Sequence, residues 1–102
     1  MMRIDFEQSG GFMGLIFNLS LDLKDLPPDQ AEAIRSHLDT ANFFDLPENL
    51  VTLARPDEIH YTITVEIDTM KHTVHASDTS APDELRPLIQ ELSQRARTQR
   101  RS

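Results

Sequence analysis

The chain has 102 residues, enough for one domain. A domain of that size buries about 60 to 70 per cent of its unfolded surface, which allows a two-layer core but no deep enclosed active site. Apolar residues at 38% and charged residues at 26% are ordinary globular usage, which argues against a disordered or membrane-spanning chain. A formal charge of -7 repels phosphate backbones and sets nucleic acid aside as the main partner, while the absence of cysteine excludes disulfides, thiolate nucleophiles and cysteine-ligated metals.

At the start, Met1-Met2-Arg3 runs into Ile4-Asp5-Phe6-Glu7 with no apolar stretch of the signal-peptide kind, so residence in the cytoplasm is the expectation. Ile4, Phe6 and Gln8 alternate with charged neighbours, the period of a half-buried strand. Leu15, Phe17, Leu19, Leu21 and Leu23 repeat that period in a second, longer strand. Between the two lies Ser9-Gly10-Gly11-Phe12-Met13-Gly14, which holds every glycine of the chain and reads as a hairpin connection.

Asp25-Leu26-Pro27-Pro28 stops the second strand and starts a helix, with Asp29 and Glu32 near its positive end. Ala31, Ile34, Leu38 and Ala41 recur at helical spacing, so an amphipathic helix is expected from Pro28 to Ala41. Asn42 ends the pattern. Phe43, Phe44, Leu46, Leu50 and Leu53 follow in a stretch broken by Pro47 and Pro56, an irregular connector expected to plug the rim of the core.

Ile59, Tyr61, Ile63, Val65 and Ile67 make a strongly β-branched third strand. Asp68-Thr69-Met70-Lys71 reverses the chain into a fourth, His72 to Ser77. Pro82-Asp83-Glu84 reads as the start of a last helix with Leu85, Leu88, Ile89, Leu92 and Ala96 on one stripe, and Pro87 fits only within its first turn. The expected fold is therefore α+β: a two-layer sandwich in the order ββαββα, a four-stranded antiparallel sheet of two hairpins covered by two helices. Residues 1–96 form the single domain, and 97–102 a basic, frayed tail whose arginines complement the helix dipole.

Catalytic chemistry is hard to assemble. His72 and His75, three apart on a strand, point to opposite faces and do not make a metal pair, and His37 and His60 have no evident partners. No nucleophile elbow surrounds a serine, and Gly10 to Gly14 opens into a strand without the lysine and helix of a phosphate cradle. Asp57 and Glu58, like Asp83 and Glu84, read as solvated or helix-starting charge. The expectation is no catalytic residue, no metal site and no cofactor. What remains is Phe12 and Met13, apolar side chains between glycines where turns carry polar groups. They read either as anchors offered to a concave partner or as core folding back over the sheet edge, and the residues alone leave both open. The polar outer face of the second hairpin, with His60, Thr62, Thr64, Thr73 and His75, is an alternative contact surface that ordinary solvated sheet also explains.

Taken in order, Arg3 to Phe12, Asp25-Leu26-Pro27-Pro28, Ala41 to Pro47, Tyr61 to Val65, His72-Thr73-Val74 and Leu85-Arg86-Pro87-Leu88 resemble the emfourin family over nearly the whole chain. That resemblance implies a bacterial protein inhibitor of thermolysin-like zinc metallopeptidases, protealysin being the known target. It implies reversible tight binding that occludes the peptidase cleft, a protein partner and a monomeric free state. Under it, Ser9, Gly10, Gly11, Phe12, Met13 and Gly14 become the candidate partner-binding residues, with Phe12 or Met13 filling the pocket for a bulky apolar residue. A non-inhibitory adaptor or chaperone-like partner of the peptidase is the competing reading, and a small enzyme a third.

Overall fold

The computed structural model describes residues 2–10, 15–51 and 58–100. Strand β1, Met2–Gly10, pairs antiparallel with β2, Leu15–Asp22, on one side and with β3, Ile59–Ile67, on the other; β4, Met70–Ser77, completes the order β2-β1-β3-β4. Helix α1 spans Pro28–Ala41 and α2 spans Arg86–Arg100, so the chain runs ββαββα as its periodicities predict. The two strands at the centre come from different hairpins, and neither hairpin is complete as a sheet without the other.

One face of the sheet is apolar because alternate residues share a face. Ile4 and Phe6, Leu19, Tyr61, Ile63 and Val65, and Val74 and Ala76 are all buried there. Ala31, Ile34, Leu38 and Ala41 of α1 and Leu88, Ile89, Leu92 and Ala96 of α2 close the core from above, each set recurring every three or four residues. Fully burying one such leucine or isoleucine contributes about 1.5 to 3 kcal/mol.

Local signals set the ends of α1. Pro28 opens it, with the Pro27 carbonyl accepting from the amides of Gln30 and Ala31 at 3.0 Å each. Asn42 closes it in the left-handed region at φ 50°, its amide reaching the carbonyls of Leu38 and Asp39. Phe43 then drops into the core with 1% of its surface exposed, while Phe44, Leu46 and Leu50 pack against the rim as the connector reading expects; Leu53 lies outside the described residues. The same connector straps the β4 edge: the Leu50 amide donates to the His75 carbonyl and the His75 amide to the Glu48 carbonyl, both at 2.8 Å.

Three boundaries differ from the sequence reading. Strand β2 stops at Asp22, and Leu23 is buried from a short 3-10 turn, Leu23–Asp25, which the Asp22 carboxylate caps at the Lys24 amide. The β3–β4 turn is a tight two-residue one with Asp68 at φ 52°. Helix α2 begins at Arg86, after a turn in which the Leu85 amide donates to the Pro82 carbonyl and Arg86 to Asp83. Pro87 decides this: in a helix begun at Pro82 its ring would collide with the Asp83 carbonyl four residues back, whereas after Arg86 it sits in the first turn, where no amide is needed. Past residue 96 the helix continues through Arg100. Arg95 lies inside it, bonded at 2.9 Å to both Glu91 and Gln30 and so tying α2 to α1.

Candidate binding surface

Of the six candidate contact residues, Ser9 and Gly10 are described, while Gly11, Phe12, Met13 and Gly14 lie outside the described residues. Ser9 and Gly10 are the end of a central strand: Ser9 stands between Ile16 and His60, and Gly10 between Leu15 and Ile59. Backbone pairing on both sides thus reaches the point where the chain leaves the sheet.

Gly10 is a glycine for two reasons. Its φ is +93°, a region L side chains rarely adopt, and a Cβ built on it would sit 2.7 Å from the Glu58 carbonyl oxygen. Any side chain there would push the end of β1 away from the start of β3.

Glu58, read from the sequence as solvated charge, is buried at 7% exposure. One oxygen, Oε2, accepts from the Thr79 amide at 3.1 Å and from the Thr79 hydroxyl. A buried carboxylate persists only with such donors, because transfer from water without them costs several kcal/mol. Asp57 lies outside the described residues.

Thr79 belongs to a turn that its own hydrogen bonds stiffen. The Ser77 amide donates to Ser80 Oγ at 2.9 Å, the two serine hydroxyls meet at 2.8 Å, and the Ala81 amide returns to the Ser77 carbonyl at 2.9 Å. That turn also grips β3 and α2. The Asp78 amide donates to the Ile59 carbonyl at 3.1 Å, the Tyr61 hydroxyl donates to Asp78 Oδ1 at 2.6 Å, and Arg86 Nη2 donates to the Asp78 carbonyl at 2.9 Å. Burial first, then the hydrogen bond to Asp78 and its negative charge, hold the Tyr61 phenol above its usual range, against smaller opposing effects of Arg86 and Arg97. On the core side, Ser93 Oγ of α2 donates to Gln8 Oε1 at 2.7 Å, both residues buried, two positions before Gly10.

The histidines separate as strand geometry predicts, though not all are surface groups. His75 faces outward and meets Thr62 at 3.0 Å, beside a Thr64–Thr73 pair at 2.9 Å, so much of the alternative polar face is engaged across its own strands. His72 faces the core, where its Nε2 meets the Leu46 carbonyl at 2.7 Å and its ring stands edge-on to Phe43 at 5.6 Å between centroids. Among the described residues no group of three or more His, Asp or Glu is placed to hold a metal ion, and no helix is long and apolar enough to cross a membrane.

A model of the Emfourin family matches residues 6–93. No curated protein matches the chain. Among solved structures the chain is similar to emfourin (M4in) from Serratia proteamaculans, an M4 family peptidase inhibitor, at 18% identity over 85% of this chain and 84% of that one, with a TM-score of 0.48.

Proposed function

The chain belongs to the Emfourin family, and on that premise we propose that it inhibits thermolysin-like zinc metallopeptidases, those of the protealysin type first among them, by tight, reversible binding that occludes the active-site cleft. Emfourin is an inhibitor family, so the protein is not an enzyme. The observation that carries the reading is the family match, which runs from Phe6 within β1 to Ser93 within α2.

Within that reading the first hairpin, Ser9 to Gly14, is the contact, with Phe12 or Met13 entering the pocket that takes a bulky apolar residue. Support comes from its base. A contact segment whose end is bonded on both flanks loses less conformational freedom on docking than one on a loose loop, and the saving appears as affinity.

Steady-state inhibition of a thermolysin-like peptidase by the native chain and by the double variant Phe12→Ala with Met13→Ala tests it, circular dichroism verifying that both are folded. The native chain is expected to inhibit, and the double variant to be weaker by at least tenfold, about 1.4 kcal/mol. Equal inhibition moves the contact away from the hairpin, and no inhibition by the native chain removes the function.

A further inference from the structure

We propose that Glu58 and Thr79 are positioning residues for inhibition: the half-buried hydrogen bonds between them brace the end of β1 from the neighbouring strand and fix how the chain leaves the sheet at Gly10. This rests on the first hairpin being the inhibitory contact.

The brace follows from contacts in series. At Gly10 the chain departs from β1, and a Cβ there would lie 2.7 Å from the Glu58 carbonyl oxygen, so the end of β1 runs close beside the backbone of residue 58. Residue 58 is held in turn from its far side, where its carboxylate accepts from the amide and the hydroxyl of Thr79 and the next carbonyl, that of Ile59, accepts from Asp78. The turn supplying those donors is closed on itself through Ser77, Ser80 and Ala81. From the core side, Gln8 is tied to Ser93. The end of β1 therefore runs beside a residue braced from its far side and is tethered to α2 through Gln8.

The choice of a carboxylate supports a geometric role. A buried carboxyl matched to the amide and hydroxyl of Thr79 favours the one arrangement that supplies those donors. An inhibitor facing a peptidase needs one arrangement: a segment held rigidly in the cleft binds tightly and resists cleavage, whereas a loosened one is a substrate.

Thr79→Val removes the hydroxyl donor and keeps the shape and the backbone amide; Thr79→Ser restores the hydroxyl. His72→Ala, at the opposite end of β4, serves as a variant weakened elsewhere, and Phe12→Ala with Met13→Ala reports on the hairpin itself. Each folded variant is assayed for inhibition constant and, by mass spectrometry, for cleavage between residues 9 and 15 during incubation with the peptidase. Thr79→Val is expected to inhibit at least about tenfold less well and to be cut in that segment, with Thr79→Ser within about twofold of the native chain and His72→Ala unchanged. Glu58→Leu, which offers Thr79 no acceptor, is the second probe should Thr79→Val not fold, and the same loss is expected of it. If the hairpin variant loses inhibition while folded Thr79→Val keeps it and stays intact, the brace is overturned. Equal loss in His72→Ala also overturns it, since general destabilisation would then explain everything. If the hairpin variant inhibits normally, the reading beneath the proposal has failed instead.

Discussion

Tyr61 shows how one hydroxyl links three elements. It stacks on Phe6 with centroids 6.1 Å apart and donates to Asp78, whose carbonyl receives Arg86 from the start of α2. Because burial and Asp78 raise the phenol pKa in the fold, the neutral form is favoured there. Its contribution is complete below the unfolded value of about 10 and is lost as pH rises past it. Tyr61→Phe should cost about 1 kcal/mol at neutral pH, since the exposed Asp78 carboxylate regains water, and should flatten the fall in stability above about pH 10. Urea titrations at neutral and alkaline pH, native against variant, measure both. The same neighbourhood marks where the sequence is silent. Glu58 follows Asp57 and looks solvated; its partner Thr79 is 21 residues away, and no periodicity announces a contact between a strand's first neighbour and a turn. Gly10, by contrast, was readable as a backbone position, though not that the atom it avoids is the Glu58 carbonyl.

Elements were legible where their signals are local and obscure where they depend on pairing. Helix α1 runs from Pro28 to Ala41 as the proline and the end of the apolar stripe at Asn42 predict. Pro82-Asp83-Glu84 carries the composition of a helix start, but the steric veto of Pro87 outweighs composition and α2 begins at Arg86. The apolar residues of the connector after α1 predict a plug, but not its strand-like pairing with His75, because two backbone hydrogen bonds leave no mark on hydrophobic spacing. His72 pins that connector through the Leu46 carbonyl and the two phenylalanine rings. Removing the ring should therefore cost about 2 kcal/mol, through lost packing and a bond left unmade. His72→Ala is expected to speed amide exchange at Leu50 and His75 well beyond the change at the central strands, as hydrogen exchange followed by NMR would show. Uniform acceleration across the sheet would mean that the strap has no stability of its own.

On the scale of the molecule, the strand order makes the two hairpins interdependent. Placing β1 against β3 puts a strand from each at the centre, and both helices pack on the single apolar face that results. Leu88, with 0% of its surface exposed, lies in that shared core. Truncation to alanine removes its transfer free energy and leaves a cavity, together worth about 2 to 5 kcal/mol, a large part of the 5 to 15 kcal/mol typical of a domain. If the molecule is one cooperative unit, the loss falls on both hairpins equally. Leu88→Ala should then melt in one transition at lower temperature, with the same midpoint by far-ultraviolet circular dichroism and by fluorescence of the single tyrosine, Tyr61. Its inhibition per folded molecule should stay at the native value, because the side chain lies in the core and not on the hairpin. Separated midpoints would mean that the hairpins hold independent stability; the first hairpin would then be carried by its own contacts, and its rigidity would not depend on the shared core.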